Sequence, residues 1–220
     1  METTDLVIFD CDGVLVDSEP LSMRVLIETI AESGLVLPPD EAYRRFLGRS
    51  LASPTRQLSS EFGIDLTQSA LERMRLRLYE LFRRELRPVE GIETALDTIE
   101  IPFCVASSSQ PERIRLSLSV TGLLPRFEPN IFSATMVSDG KPAPDLFLYA
   151  AEAMGATPST CLVIEDSPAG IAAGRAAGMR VFAFAGASHA SEPEHLAAIR
   201  GLEPDRIFDN MSALPELIGA

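Results

Sequence analysis

The sequence predicts an α/β fold, a doubly wound parallel sheet with a small all-helical domain inserted after the first strand. Three observations carry this expectation. Short apolar runs alternate with longer helical patterns along most of the 220 residues. The runs are apolar at every position rather than at alternate ones, as parallel strands covered on both faces are. One interval, between the first run and the second, is helical throughout and far longer than the dozen or so residues that a crossover needs.

In chain order, Leu6–Phe9 is the first strand. Four helical patterns follow, Glu19–Ser33, Asp40–Leu47, Pro54–Phe62 and Thr67–Leu86. Within them Val25, Leu26 and Ile30, and Leu71, Met74, Leu78 and Leu81, recur at helical spacing. A strandless stretch of this length is expected to be a separate lid over the carboxyl ends of the strands, with Pro88 and Gly91 marking the return. Phe103–Ala106 is the second strand. Pro111 opens a helix that Gly122 closes, and Pro144 opens another that Gly155 closes. Ser167-Pro168 is an N-cap followed by a first-turn proline, in a helix that stops at Gly178. Cys161–Ile164 and Val181–Phe184 are further strands, and weaker strand patterns lie at Ile131–Phe132 and Ile207–Phe208. The expected organisation is a Rossmann-like core of residues 1–13 and 90–220 and a helical cap of residues 14–89.

Composition narrows the function. Hydrophobic residues make up 46% of the chain, enough for a packed core and against disorder. A net charge of −13 argues against nucleic acid and anionic membrane surfaces as partners. Residues 1–10 lack a basic n-region and run straight into a strand, so no signal peptide is expected. No apolar stretch approaches the roughly 18 residues of a spanning helix. Cys11, Cys104 and Cys161 are odd in number and widely spaced. They read as reduced, buried thiols of a cytoplasmic protein, without metal-site spacing. A monomer is the expected state.

Four polar clusters fall at the carboxyl ends of expected strands, where open α/β sheets bind ligands. Asp10-Cys11-Asp12-Gly13 puts two carboxylates beside a glycine that permits a sharp turn; alone, it is also an ordinary acidic turn. Ser107-Ser108-Ser109 offers hydroxyls and backbone N–H groups suited to phosphate oxygens, and alone it is also a serine N-cap with loop residues. Lys141 sits in Gly140-Lys141-Pro142-Ala143-Pro144-Asp145, a proline-stiffened loop that argues against a freely solvated lysine. Glu165-Asp166 follows a buried strand directly. Such a pair is costly unless a cation is near, although an acidic first helical turn is the simpler alternative.

Order and strand-end placement together give the clusters their force. The stretch from Asp10 to Glu19, Asp-Cys-Asp-Gly-Val-Leu-Val-Asp-Ser-Glu, resembles the first motif of the haloacid dehalogenase-like superfamily. Ser107 matches the second motif, Lys141 the third, and Glu165-Asp166-Ser167-Pro168-Ala169-Gly170 the fourth. The helical insert resembles that of the subclass with a helical cap, within it the β-phosphoglucomutase-like and 6-phosphogluconate phosphatase-like subgroup.

The resemblance implies a Mg²⁺-dependent phosphatase acting on a small phosphorylated metabolite, a sugar phosphate in the first instance. It implies Asp10 as nucleophile and Asp12 as general acid and base, with Ser107 and Lys141 holding the phosphoryl group. It implies metal binding by Asp10, the Asp12 carbonyl oxygen and Asp166, with Glu165 acting through water or behind the ligands, and a cis Lys141-Pro142 peptide. Ser108, and Arg49 and Arg45 of the insert, are candidate substrate contacts; Arg44 and Arg45 also read as a solvated basic helix face. A phosphosugar mutase would use the same phosphoaspartate, but Ser22 stands where those mutases carry a cap histidine. True dehalogenases lack the second aspartate, present here as Asp12. A phospho-accepting signalling module would lack the insert and would carry its acidic pair before the phosphorylated aspartate.

Overall fold

The structure, a computed structural model, describes residues 3–46, 58–190 and 193–219, without the side chains of residues 39, 40, 43 and 44. Its centre is a six-stranded sheet of β1 (Leu6–Phe9), β2 (Phe103–Ser107), β3 (Ile131–Ser133), β4 (Cys161–Glu165), β5 (Arg180–Phe184) and β6 (Arg206–Phe208). The spatial order is β3-β2-β1-β4-β5-β6, and every neighbouring pair is parallel. Both weaker strand patterns form, as the two edges. The chain winds outward from β1 on one side and from β4 on the other, so the switch point lies between these two central strands.

The central strands are buried at every position of β1 and β4, which explains their unbroken apolar sequence. Leu6, Ile8, Cys104, Val163, Val181 and Ile171 belong to one core cluster. Each fully buried aliphatic side chain of this kind contributes about 1.5–3 kcal/mol. Phe9, Phe103 and Phe127 pack edge to face, with ring centroids 5.2 to 6.2 Å apart.

Helices α1 (Glu19–Glu32), α2 (Pro39–Phe46) and α3 (Gln68–Glu85) lie between β1 and β2 in sequence. Helices α4 (Ile92–Thr98), α5 (Pro111–Val120), α6 (Leu124–Phe127), α7 (Asp145–Ala153), α8 (Pro168–Ala176), α9 (Pro193–Gly201) and α10 (Leu214–Ile218) belong to the sheet unit. Helix α8 shows how sequence sets a local start. Its N-cap Ser167 accepts a 3.1 Å hydrogen bond from the Gly170 amide, and Pro168 occupies the first turn. Its Gly174 lets the helix press onto the sheet, because a Cβ there would lie 2.7 Å from Val181 Cγ2.

The chain forms two compact units, residues 18–86 and the remainder. The break falls four residues later than expected on the outward crossing and three earlier on the return. Residues 14–17 and 87–89 are laced to each other: Val89 N donates to Leu15 O at 3.0 Å and Asp17 N to Arg87 O at 3.1 Å. The helical unit pairs α1 with α3. Met23, Val25, Leu26 and Ile30 of α1 and Met74, Leu78, Leu81 and Phe82 of α3 are buried. Arg24–Glu85 and Arg77–Glu32 ion pairs, at 2.8 and 2.7 Å, join the two helices. Residues 58–62 are helical, the described part of the expected Pro54–Phe62 helix. Among the described residues, no helix is long and apolar enough to cross a membrane.

Candidate active site

Asp10 is the first residue past β1, and its amide donates to the Ile164 carbonyl of β4 at 2.9 Å. The chain then turns tightly. Leu15 and Val16 both donate to the Cys11 carbonyl, and Gly13 donates to Val16. Gly13 has φ of +86°, and a Cβ there would fall 2.0 Å from Asp166 Oδ2. Both the backbone conformation and the crowding call for glycine.

Lys141 joins the strand ends. It follows β3 in a loop whose Lys141-Pro142 peptide is cis. Its side chain is 3% exposed. The ammonium donates to Asp10 Oδ1 at 2.5 Å, Glu165 Oε1 at 2.8 Å and the Ala106 carbonyl at 3.0 Å, which uses all three of its protons. It also stands 4.8 Å from the Phe147 ring centroid. Burial opposes the charge on Lys141, but Asp10 and Glu165 outweigh it and raise the pKa, so the lysine stays a cation.

The carboxylates are raised as well, which for them favours the neutral form. Burial raises Asp10 well above the usual range; Lys141 pulls it down, while Glu165, Asp166 and Asp12 push it up. Burial likewise raises Glu165 against the pull of Lys141. The far oxygen of Glu165 accepts from the Ser167 amide at 2.7 Å and the Ser167 hydroxyl at 2.9 Å. Asp10, Glu165 and Asp166, all buried, each bring a carboxylate oxygen within 4.8 Å of the others. An all-oxygen donor set of mutually repelling carboxylates suits a hard divalent cation such as Mg²⁺ or Ca²⁺.

The Asp12 side chain stands apart from that trio. Its Oδ2 accepts from Ser109 Oγ at 2.7 Å and its Oδ1 from Arg113 at 2.8 Å. Ser109 is itself fixed: its carbonyl accepts from Ser133 Oγ at 2.7 Å and its amide donates to Ser107 Oγ at 3.1 Å. Ser107 is buried at the end of β2, and Ser108 is exposed beside it. Sequence reasoning placed Ser109 in a phosphate-binding serine cluster rather than beside Asp12, and missed Arg113 and two histidines. Arg113 is the third residue of α5, one helical turn past the serine triplet, and that proximity was the available signal. His189 Nε2 lies 2.8 Å from Asp166 Oδ2, and His195 Nε2 lies 2.9 Å from the Asp166 carbonyl. They are the chain's two histidines.

Of the insert candidates, Arg45 is engaged within the helical unit by Glu41 at 2.8 Å and Glu61 at 2.6 Å, over the Phe62 ring. Arg49 lies outside the described residues, as does the side chain of Arg44. The three cysteines are buried thiols, none in a disulfide.

The family profile described as haloacid dehalogenase-like hydrolase matches residues 4–178. The 6-phosphogluconate phosphatase of Escherichia coli (strain K12) is 34% identical over 218 residues, covering 99% of this chain and 96% of the relative. A conserved haloacid dehalogenase-like protein from Agrobacterium tumefaciens str. C58 superposes with a TM-score of 0.87 at 37% identity, over 98% of each chain. A hydrolase of the same family from Deinococcus radiodurans R1, solved with bound phosphate and sodium, superposes with a TM-score of 0.79 at 32% identity, covering 100% of this chain and 96% of that one.

Proposed function

We infer that this chain, which belongs to the haloacid dehalogenase-like hydrolases, is a phosphatase that releases phosphate from a small phosphorylated sugar by way of an aspartyl-phosphate at Asp10. The observation that carries this reading is the buried Asp10–Lys141–Glu165 cluster, which sets a carboxylate beside a fixed cation at the switch point of the sheet. The resemblance to 6-phosphogluconate phosphatase supports the substrate class.

In the proposed reaction an oxygen of Asp10 attacks phosphorus, and the bond to the sugar oxygen breaks. Covalent capture splits one difficult displacement into two. Lys141 neutralises charge on the phosphoryl oxygens as it develops, from a position that needs no rearrangement. Ser107 and the backbone N–H groups that follow it hold those oxygens. Asp12 gives a proton to the leaving alkoxide and later takes one from the water that hydrolyses the acyl phosphate. Ser109 and Arg113 both donate to its carboxylate. It must therefore loosen that hold before acting as the acid.

Asp10 and Asp166, with the Asp12 carbonyl oxygen and Glu165 at the margin, would hold Mg²⁺. Bound there, the ion supplies positive charge that offsets the carboxylates and the phosphoryl oxygens. Glu165 is held by Lys141 and Ser167, so its part is to orient the lysine as much as to face the metal. Ser22 in place of a histidine favours hydrolysis over the mutase reaction.

The test is a screen of the purified protein with Mg²⁺ against phosphorylated sugars and sugar acids, 6-phosphogluconate among them. Metal-dependent phosphate release is expected. Full activity after exhaustive chelation, or a covalent phosphate mapped to Ser107 rather than Asp10, overturns the mechanism. Isomerisation of β-glucose 1-phosphate with little hydrolysis would restore the mutase.

A further inference from the structure

Two buried or half-buried histidines on different elements converge on one carboxylate residue, and the mechanism above uses neither. His189 lies in the loop after β5 and is 3% exposed. Its Nε2 is 2.8 Å from Asp166 Oδ2. His195 lies in the first turn of α9, and its Nε2 is 2.9 Å from the Asp166 backbone oxygen. The Asp166 carbonyl oxygen only accepts, so His195 meets it as an N–H donor in the tautomer protonated at Nε2, while His189 Nε2 faces the Asp166 carboxylate at ion-pair distance. The two rings pack edge to face with centroids 5.4 Å apart, so each orients the other.

The loop that carries His189 is braced at several points. Ala185 N donates to Phe208 O at 2.7 Å. Gly186 runs so close to the next segment that a Cβ would meet Asp209 O at 2.0 Å. Ser188 Oγ donates to Asp17 Oδ1 at 2.7 Å. Where His189 meets the carboxylate, the bare Cα of Gly13 leaves room for both, since a Cβ there would stand 2.0 Å from Asp166 Oδ2 and 2.9 Å from His189 Cε1. Asp166 is thus held at its side chain and at its backbone, by rings on two elements.

We propose that His189 and His195 are positioning residues that aim the Asp166 carboxylate into the Asp10–Glu165–Asp166 site and so set its affinity for a divalent cation. A carboxylate that must find its own orientation loses rotational freedom when the cation binds; one already held by fixed donors loses less. His189 also keeps one carboxylate oxygen engaged and leaves the other for the ion. Partners of this kind typically change metal affinity by about 10–100-fold. The inference rests on the reading of this carboxylate trio as a divalent-metal site.

The experiment measures Mg²⁺ binding directly, by isothermal titration on the full-length chain, in parallel with the Mg²⁺ concentration for half-maximal turnover. Four variants are compared with the unaltered protein. His189→Leu and His195→Leu remove the polar rings. His189→Gln and His195→Gln keep an N–H close to the Nε2 position. The leucine variants are expected to bind Mg²⁺ about 10–100-fold more weakly, with turnover at saturating Mg²⁺ changed far less than the half-saturation concentration. Each glutamine variant should recover most of the affinity. A structural role alone would lower thermal stability in all four without separating glutamine from leucine, and that result overturns the proposal. Unchanged Mg²⁺ affinity in folded His189→Leu overturns it equally. Failure of the unaltered protein to bind Mg²⁺ sinks the metal-site reading itself, and this proposal with it.

Discussion

Lys141→Met tests the centre of the site, because it removes the ammonium and keeps an unbranched side chain that fills nearly the same space. In the native protein Lys141 is 3% exposed and its partner Glu165 is 1% exposed, so solvent screens their contact very little. The variant strands Asp10, Glu165 and Asp166 within 4.8 Å of one another with no counter-charge. Removing one partner of a buried pair costs about 3–5 kcal/mol. At about 2–4 °C per kcal/mol for a chain of this size, the metal-free variant should melt about 6–20 °C below the unaltered protein. Added Mg²⁺ should return part of the loss, about 2.7 kcal/mol at a hundredfold excess over its dissociation constant. Glu165→Gln on the Lys141→Met background removes one stranded charge. The double variant should therefore be more stable than the sum of the two single effects by about 0.5–3 kcal/mol. The assay is thermal unfolding in chelator and then in Mg²⁺, with turnover measured alongside. A metal-free melting temperature within about 2 °C of the unaltered protein corresponds to less than about 1 kcal/mol. That result, or strict additivity of the two substitutions, would refute the assignment of Lys141 as the counter-charge.

Three other expectations follow from named contacts. Asp10→Asn should abolish turnover, whereas Asp12→Asn should lower it by about 10²–10⁴-fold, the usual worth of general acid–base catalysis. With an acyl phosphate substrate the Asp12→Asn protein should accumulate phosphate on Asp10, read by mass spectrometry; equal loss in both variants without accumulation would refute the division of roles. Gly170→Ala should destabilise the protein although alanine normally favours a helix by about 1 kcal/mol, because the new Cβ would lie 1.7 Å from Glu165 Oε1. A rise in melting temperature would contradict it. The thiols should be inert in the native state: burial pushes Cys161 up to about 11 and moves Cys104 and Cys11 upward as well. An aromatic disulfide reagent at pH 8 should titrate all three only in denaturant, since about one Cys161 thiol in 10³ is ionised at that pH; fast stoichiometric labelling of the native chain would show the core to be open.

The strands were legible because burial on both faces leaves little but apolar residues to choose from. The helices after Pro111, Pro144 and Ser167 were legible because proline and serine mark starts and glycine marks stops. Helices α4, α9 and α10 left no comparable signal. Helix α4 spans seven residues, and α9 buries only Ile199, so neither shows a full apolar stripe. The unit boundary moved because residues 14–17 and 87–89 bond to each other across the sequence, which no local pattern records. Site residues with backbone punctuation around them, Asp10 with Gly13 and Lys141 with Pro142 and Pro144, stood out. Arg113 did not, because its partner Asp12 is 101 residues away. His189 and His195 meet Asp166 only through the return of the chain after β5.

The arrangement sets stability against readiness for a cation. Folding raises the pKa of Asp10 and of Glu165, through burial first in both cases. A carboxylate raised on folding binds its proton more tightly in the native state than in the unfolded one. Below the unfolded value of about 4 both states are protonated and nothing is lost. As pH rises from there through the folded value, the metal-free native state loses stability. Lys141 offsets part of it but brings one positive charge to a set of three buried carboxylates. A divalent cation binds the folded cluster and not the dispersed carboxylates of the unfolded chain, so it recovers what the cluster costs. The same repulsion that makes the empty site unfavourable is therefore what makes it selective for a doubly charged ion, and the apolar core around β1 and β4 supplies the stability against which it is held.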